Sequence, residues 1–357
     1  MKKLAVYPFD YQVRELLMHS SLIEKYSIEY YIKKDKFSCT LFSNNTDKIT
    51  EDYKKAIDAV DSVFFTFKDS SISANRYMQI FSYAKNNEKE IIITGNLFHY
   101  LCNYDISIKS YAKLTVYQNT DSNPVNTAVN KSALLNIDVP IIFICGIGEY
   151  CNKFNCELDV RNFFTLKNYK ILQLGSKEIS PLFGFNAIPS FIYNSSTSYY
   201  DRVVGFNKYI AAKVKAENPD LIILGVDAPI LPYNNNILNG LGEIPLIITT
   251  ALNIDISIIN IYNHNNIAAE YISHLLACGK YRLNSTYTYV NISGTISDIQ
   301  DDQRSLKYYH VGHALCPLAS LNNTLGKNVV YSIDDQKSQT ELLNTIYCNL
   351  TDSLDIF

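Results

Sequence analysis

Short apolar segments alternate with amphipathic segments along most of the chain, and this alternation constrains the fold more than any other feature. Repeated strand–helix–strand units of this kind predict a parallel sheet with helices on its faces. In the first third, the predicted strands are residues 4–7, 27–32, 59–67 and 90–93, and the predicted helices are residues 11–26 and 73–85. The N-terminal region is therefore predicted to have an α/β fold.

The same alternation continues after residue 137, with stronger apolar runs. The predicted strands there are residues 139–145, 169–174, 221–226, 246–250, 256–262, 286–292 and 328–333, and the predicted helices are residues 153–166, 199–217, 268–276 and 340–350. Residues 118–124 are polar and have no apolar period, which is typical of a domain boundary. We therefore predict two α/β domains with mainly parallel sheets, at residues 1–117 and 137–357, joined by a linker at residues 118–136.

Length and charge narrow the class of protein further. A chain of 357 residues is long enough for two domains at roughly 150 residues each. The formal net charge of −3 gives no reason to expect nucleic acid or a membrane as a partner. The N-terminus lacks the long apolar stretch of a signal peptide, and the eight cysteines form no CxxC pair. We therefore expect a cytoplasmic protein with buried thiols, not disulfides.

The strand at residues 139–145 runs into a glycine-containing turn, with the sequence GIGEYCNKF at residues 146–154. A strand, a glycine turn and a helix start direct backbone N–H groups and the helix dipole at one point, which suits a phosphate. Lys153 adds a positive charge at the helix start. The turn departs from the Walker A pattern at three positions: Ile147, with a glycine on either side, stands at the first glycine, Asn152 replaces the second glycine, and Phe154 replaces the hydroxyl that holds Mg²⁺. Asn can adopt the left-handed backbone of that glycine, but nothing in the sequence replaces the hydroxyl.

Other interpretations of this turn stay open. Gly146 and Gly148 fit the first two positions of the dinucleotide pattern GxGxxG, but Cys151 stands at the third. A tight strand–helix turn without any ligand is a further alternative. Phosphate binding is the interpretation that we prefer. Cys151 lies near a predicted helix N-terminus, where a thiol pKa can be lowered, although no His–Asp pair is visible to make it a nucleophile.

Two polar positions follow other predicted strands. Asp227 comes directly after residues 221–226, where phosphate-loop proteins place the carboxylate that holds the metal; capping of the Ala228–Pro229 turn is an equal alternative. Asn263 follows residues 256–262 and would contact a purine edge, although capping of the next helix is the more common role. Both positions fall at the carboxyl ends of predicted parallel strands, where open α/β sheets bind ligands.

His310 and His313 have a spacing that would suit a metal on a helix. No Cys, Asp or Glu cluster lies near them in the sequence to complete a ligand shell, so we interpret them as a structural pair.

Several stretches together carry a resemblance to a known group. They are CGIGEYCNKF at 145–154, NYKILQLGS at 168–176, LFGF at 182–185, KLAVYPF at 3–9 and PDLIILGVD at 219–227. Together they resemble a clostridial group known as peptide maturation system proteins. That resemblance implies a Rossmann-like N-terminal domain followed by a P-loop NTPase-like three-layer domain. It also implies gene neighbourhoods for ribosomally made, post-translationally modified peptides, alongside radical enzymes. Gly146, Gly148, Asn152, Lys153 and Asp227 are the positions to which it extends.

Three functions follow as expectations. The first is an enzyme that uses ATP or GTP with Mg²⁺ during maturation of a natural-product peptide, with Lys153 and Asp227 as catalytic residues and Asp227 as the metal ligand. The second is a non-catalytic scaffold that binds the precursor peptide or a modifying enzyme, which the missing hydroxyl at Phe154 and the Tyr-rich composition favour. The third and weakest is a nicotinamide or flavin enzyme. A homodimer is one option for the assembly.

Overall fold

The structure is a computed structural model that describes residues 1–10, 13–34, 47–67, 69, 71–117, 133–300, 304–312 and 315–352. The chain divides into two compact units: Met1–Asn119 with Glu178–Ala187, and Thr120–Lys177 with Ile188–Phe357. Most of the predicted linker, at residues 118–132, lies outside the described residues. The domain boundaries predicted from the sequence did not include Glu178–Ala187 with the first unit. Within the described ranges, no helix is long and apolar enough to span a bilayer.

The first unit is built on a parallel sheet of six strands. Its strands are β1 (Lys2–Phe9), β2 (Tyr26–Lys33), β3 (Ile49–Thr50), β4 (Ser62–Phe65), β5 (Glu90–Thr94) and β6 (Leu114–Tyr117), in the spatial order β3-β2-β1-β4-β5-β6. Its α-helices are α1 (Glu15–Met18), α2 (Tyr53–Asp58), α3 (Ala74–Asn86) and α4 (Gly95–Cys102), and short 3-10 helices lie at Ser20–Leu22 and Ile106–Ser110. The strand order is that of the Rossmann fold.

Both faces of this sheet are buried, as expected for parallel strands between helices. Alternate residues of β4 and β5, such as Val63 and Ile91, pack with α2, α3 and α4. The intervening residues, such as Phe64 and Ile92, are also fully buried. Successive side chains of each central strand point to opposite faces of the sheet, and apolar side chains therefore fill both faces.

The helix predicted at residues 11–26 is wrong over most of its length. α1 covers only Glu15–Met18, and β2 begins at Tyr26. The Tyr31 hydroxyl donates a hydrogen bond to the Leu16 carbonyl at 2.8 Å. That carbonyl would otherwise accept the N–H of Ser20 in a continuing helix, and the serines that follow favour turns over helix interiors. Contacts with β2 thus override the local helical spacing.

The second unit also has a parallel sheet. Its strands are β7 (Ile141–Gly146), β8 (Ile171–Gly175), β10 (Leu221–Gly225), β11 (Ile254–Ile261), β12 (Ser285–Ile292) and β15 (Val330–Tyr331), and β9 (Asn186–Ala187) lies in the segment that groups with the first unit. The first six of these strands lie in the spatial order β15-β12-β11-β7-β10-β8, and each pairs in parallel with its neighbours. An antiparallel hairpin of β13 (Thr295–Ile299) and β14 (Leu306–His310), which the sequence did not predict, follows β12.

The helices of this unit form a layer on each face of the sheet. They are α5 (Lys153–Leu166), α6 (Tyr199–Glu217), α7 (Glu243–Ala251), α8 (Ala269–Tyr281), α9 (Leu318–Leu325) and α10 (Gln336–Asp352), with 3-10 helices at Ser190–Tyr193 and Asn239–Gly242. α5 and α10 pack on one face and α6 to α9 on the other. The sheet and its two helix layers make the predicted three-layer α/β domain.

The strand predicted at residues 246–250 is wrong, because these residues belong to α7. A five-residue apolar run cannot be assigned to helix or strand by periodicity alone. Gly242 precedes the helix with φ 70°, and Pro245 lies in its first turn, where proline is compatible with a helix. The strand predicted at residues 328–333 is shorter than expected and covers only Val330–Tyr331.

The handedness of the connections between strands explains why a crevice forms at the carboxyl end of β7. The β7-to-β8 connection runs in one direction along the sheet, whereas the later connections run in the opposite direction. Because strand–helix–strand crossovers are right-handed, α5 must lie on the face opposite α6 to α9. β7 therefore sends its outgoing chain to the opposite face from its neighbours β10 and β11. Such a switch point leaves a crevice at the carboxyl ends of the strands.

Candidate functional site

A short loop joins β7 to α5 and carries most of the predicted site. This Gly146 loop, residues 146–153, begins at the last residue of β7 and ends at the first residue of α5. Asn152 has φ 69°, which confirms the left-handed conformation expected for it. It precedes α5 without a side-chain hydrogen bond to the helix. Asn152 therefore does not cap the first turn of this 14-residue helix. An anion site at a helix start requires a first turn that is not capped by a side chain.

Lys153 points inward and ties the loop to the next strand. Its side chain is 7% exposed, and Nζ donates to the Gly148 carbonyl at 2.9 Å and to the Asp227 carbonyl. An ammonium group has three donors, so one remains without a protein acceptor among the residues described. The structure thus brings Lys153 together with the end of β10, as the parallel order predicted.

Both glycines of the loop are required by close neighbours. A Cβ on Gly146 would lie 2.5 Å from Cys151 Sγ, and a Cβ on Gly148 would lie 2.1 Å from the Tyr262 hydroxyl oxygen. The Tyr262 hydroxyl also donates to the Glu149 carbonyl at 2.7 Å, which fixes the loop from the side of β11. Packing alone therefore accounts for glycine at these positions.

The expectation of a lowered pKa for Cys151 is wrong. Its side chain is fully buried, and Sγ donates to the Gly148 carbonyl at 3.1 Å. Burial raises the pKa of the thiol and outweighs the opposing effects of the Lys153 charge and of nearby backbone N–H groups. Cys151 is therefore an uncharged packing residue inside the loop.

Asp227 follows β10 with an exposed side chain. Its Oδ1 accepts a hydrogen bond from the Tyr193 hydroxyl at 2.7 Å. Within the described part of the chain, no backbone N–H of the Ala228–Pro229 turn bonds to this carboxylate, so the capping alternative is not observed. The carboxylate therefore lies at the carboxyl edge of the sheet, beside the carbonyl that Lys153 contacts.

Magnesium needs oxygen ligands, and the residues around the loop supply few. Phe154, at the hydroxyl position, is buried, and Lys177 Nζ lies 5.6 Å from the centre of its ring. Across the described ranges, no three His, Cys, Asp or Glu side chains group in a way that would hold a metal. These donors do not fit a metal site built by the protein, so we derive no step through a metal ion.

Asp334 is a site residue that the sequence analysis missed. It follows β15, and its two carboxylate oxygens accept from Asn152 Nδ2 at 2.9 Å and from the Gly294 N–H at 2.6 Å. It therefore joins the Gly146 loop to the ends of β12 and β15. The signal for it in the sequence is weak, because an Asp before a helix is normally an N-cap.

Glu157 is a second residue that sequence reasoning missed. It lies one turn into α5, is fully buried, and accepts the Ser176 N–H at 3.1 Å through Oε2. Its Oε1 has no hydrogen-bond partner in the described structure. Burial raises the pKa of this carboxyl to about 8, against the opposing effects of Ser176, Lys153 and Lys177. At neutral pH the group is therefore a protonated acid at the carboxyl edge of the sheet.

The structure contradicts the capping role proposed for Asn263. The residue that precedes α8 is Ala268, which makes no side-chain cap. Asn263 is fully buried, and its Oδ1 accepts the Leu315 N–H at 2.9 Å while its own N–H donates to the Thr295 carbonyl. It therefore anchors the hairpin region to β11, and its side chain is not presented to a purine.

Tyrosines from four segments meet beside the Gly146 loop. Tyr150 and Tyr308 have ring centroids 4.7 Å apart, and Tyr262 lies 5.7 Å from Tyr308 and 6.3 Å from Tyr233. The β13–β14 hairpin brings Tyr308 into this cluster. Aromatic rings in contact are typical of rim packing and also suit stacking with a ligand ring. The cluster adds an aromatic wall to the loop.

His310 is the last residue of β14 and not part of a helix, so the helical spacing that would suit a metal does not form there. His313 lies outside the described residues.

Asp334→Ala should lower the free energy of unfolding by about 2 kcal/mol, because two buried or half-buried donors lose a charged acceptor. It should also loosen the Gly146 loop, seen as faster amide hydrogen exchange across residues 147–153. Asp298→Ala, at an exposed position on β13, should change neither measurement. Unchanged exchange in Asp334→Ala would show that Asn152 holds its conformation without this contact.

Comparisons with known proteins support the fold. No family model matches the chain, and no curated protein matches it. The crystal structure of a DUF1611 family protein from Anabaena variabilis is similar, with a TM-score of 0.63 and 11% identity over 97% of this chain and 99% of that chain. An α-glucosyltransferase in complex with UDP and a 13-mer DNA matches 82% of this chain and 79% of its own at 11% identity, but with a TM-score of only 0.23 it carries no argument.

The likeness to the DUF1611 family protein shows the fold alone, since identity is so low. It confirms the predicted α/β class with mainly parallel sheets. The resemblance to peptide maturation proteins, which rests on the sequence, stays a prediction.

Proposed function

We propose that the Gly146 loop binds a phosphate group, and that this binding serves the maturation of a ribosomally synthesised peptide. The observation that carries the first part is the Lys153 ammonium, which is buried inside the loop with two carbonyl acceptors beside the uncapped start of α5. A buried cation and a helix N-terminus at one point favour an anion. The peptide context rests on the resemblance of residues 145–154 and 168–176 to that group.

The proposed ligand is a nucleotide, ATP or GTP, whose phosphate lies on the loop. Lys153 would exchange a carbonyl acceptor for a phosphate oxygen. The tyrosine cluster beside the loop offers ring surfaces on which a base can stack. Asp227, at the adjacent strand end, contributes a carboxylate beside the loop, and the Tyr193 hydroxyl holds its Oδ1 in place at 2.7 Å.

Lys153→Met should weaken nucleotide binding by at least about tenfold, which corresponds to roughly 1.4 kcal/mol. Calorimetry against ATP, GTP and NADH, each with and without Mg²⁺, measures this. Lys170→Met, at an exposed position before β8, is the matched control and should bind like the wild type. Absence of binding to every nucleotide, or equal binding by Lys153→Met, would overturn the proposal.

Turnover is a separate question from binding. Phe154 provides no oxygen at the position of the usual Mg²⁺ hydroxyl, which favours binding without hydrolysis. If the wild type hydrolyses nucleotide with a purified precursor peptide, and Lys153→Met does not, the protein is an enzyme. If it binds nucleotide without hydrolysis, the site has a binding role alone.

The missing hydroxyl at Phe154 also favours a second candidate function, that of a scaffold that binds the precursor peptide or a modifying enzyme. Under this alternative, a purified precursor peptide from the same gene neighbourhood should bind the wild type and Lys153→Met with equal affinity. A loss of peptide binding in Lys153→Met would instead couple the peptide to the phosphate site.

A further inference from the structure

The β13–β14 hairpin has an open edge beside the Gly146 loop. The two strands form a sheet of their own, and in the described part of the chain β14 pairs with no strand other than β13. β14 nevertheless lies next to the candidate site, because the ring centroids of Tyr308 and Tyr150 are 4.7 Å apart. One side of this five-residue strand therefore has no partner strand at the margin of the loop.

The hydrogen bonds at the two ends of the hairpin determine which residues point to that side. The Gln300 N–H donates to the Ser305 carbonyl at 3.0 Å, and the Val311 N–H donates to the Gly294 carbonyl at 2.7 Å. In an antiparallel ladder, pairs that exchange hydrogen bonds alternate with pairs that do not. In the register of this hairpin, counting from either end assigns the same pairs to the bonded set.

Leu306 and Tyr308 fall in the pairs that are not bonded, so their N–H and C=O groups point away from β13. Among the described residues, no backbone group outside the hairpin bonds to them. The outer side of β13 differs, because the Thr295 carbonyl accepts the Asn263 N–H at 2.7 Å. β14 thus presents donors and acceptors at a two-residue spacing, and an extended polypeptide carries the complementary groups at that spacing.

The outer edge of β14 suits one short strand better than a second copy of the protein. β14 has only five residues and carries the exposed Lys307, and both features are typical of edges that resist pairing between folded proteins. Two copies joined along so short a strand would bury much less than the roughly 1,200 Å² of a stable interface. A peptide does not need that area, because main-chain hydrogen bonds supply much of its affinity.

We propose that the outer edge of β14 binds an extended peptide segment as a third strand of the hairpin, beside the Gly146 loop. The segment would pair with the main-chain groups of Leu306 and Tyr308. Tyr309 is exposed on the solvent side of β14, so a β-branched or aromatic side chain next to it would add a cross-strand contact. The inference rests on the peptide role in the proposed function, whereas phosphate binding at the loop does not depend on it.

The test uses full-length protein and labelled peptides of about ten residues, the upper length of an ordinary strand, which together cover the precursor peptide of the same gene neighbourhood. Fluorescence anisotropy should identify at least one peptide that binds. Leu306→Pro removes an outward N–H and keeps the hydrogen bonds within the hairpin, which is where an edge strand tolerates proline. It should weaken binding of that peptide at least about tenfold. Leu306→Ala keeps the N–H and should bind like the wild type.

Two methylated forms of the same peptide test the pairing without changing the protein. A strand added to an edge uses the N–H groups of alternate residues, and the other N–H groups face solvent. N-methylation of one alternate set should therefore weaken binding at least about tenfold, and methylation of the other set should not. This comparison decides the matter if Leu306→Pro does not fold.

Three results would overturn the inference: no peptide of the set binds, the two methylated forms bind equally, or a folded Leu306→Pro binds like the wild type. Sedimentation velocity covers the other occupant, because a dimer that Leu306→Pro converts to a monomer would assign the edge to a second copy. Calorimetry of Leu306→Pro with ATP and GTP should match the wild type. A failed peptide test would therefore leave nucleotide binding at the Gly146 loop standing, and the converse also holds.

Discussion

Glu157→Gln should make the protein more stable than the wild type at pH 8 and leave its stability at pH 5 little changed. Burial raises the pKa of Glu157 to about 8 in the folded state, from an ordinary value of 4.5. Between these values the folded protein keeps a proton that the unfolded chain has lost. Its stabilising contribution is therefore complete below pH 4.5 and is lost as pH rises toward 8, at roughly 1.4 kcal/mol per pH unit. Glutamine has the shape of the protonated acid and does not ionise.

Chemical denaturation at pH 5, 6, 7 and 8 measures this effect, which should reach the order of 4 kcal/mol at pH 8. Asp159 contributes in the same direction, because burial raises its pKa to about 7, so Asp159→Asn should remove a separate part of the slope. Glu270→Gln, at an exposed position on α8, should leave the profile unchanged. Equal slopes in the wild type and Glu157→Gln would show that Glu157 is ionised in the folded protein.

Gly225→Ala should destabilise the protein by about 3 kcal/mol, the upper end of ordinary overpacking, or prevent folding. A Cβ on Gly225 would lie 2.0 Å from Cδ and from Oε1 of Glu157. The carboxyl cannot retreat easily, because it is fully buried and bonded to the Ser176 N–H. The end of β10 and the first turns of α5 would therefore have to separate, which would also displace the Gly146 loop.

A double-mutant cycle identifies the clash. Glu157→Ala removes the carboxyl, so Gly225→Ala should cost much less in that background, with a coupling energy above about 1 kcal/mol. Gly326→Ala is the matched control: Gly326 has φ 65° and nothing lies near its missing Cβ, so its strain should not depend on residue 157. If Glu157→Ala rescues neither or both alanines equally, the contact between Gly225 and Glu157 is not the cause.

The sequence predicted long elements well where capping chemistry agrees with periodicity. α6 covers Tyr199–Glu217 as expected, because Ser198 caps its start and Asn218, with φ 46°, ends it before Pro219. α5 likewise matches its prediction. Short elements were less predictable. The apolar run inside α7 has no period that distinguishes a helix from a strand, and α1 ends where the Tyr31 hydroxyl donates a hydrogen bond to a carbonyl of that helix. Both outcomes depend on partners that are distant in the sequence.

The residues of the candidate site likewise divide into those that the sequence predicts and those that it does not. Asn152, Lys153 and Asp227 were predictable, because strand ends in a parallel sheet meet at one edge. Asp334 was not, since its partner Asn152 lies 182 residues away. Glu157 was not either, because a Glu in a helix normally faces solvent, and only the absence of a Cβ at Gly225 allows it to be buried here.

The bond between Asn152 and Asp334 also orders events in time. A ribosome makes Asp334 182 residues after Asn152, which at about 5–20 residues per second is an interval on the order of ten seconds or more. During that interval β7, α5 and the strands beside them can already pair, but the loop between β7 and α5 lacks the carboxylate that holds its left-handed residue. The Gly146 loop is therefore completed late in synthesis, after the scaffold that surrounds it, and a nascent chain has the sheet before it has the finished loop.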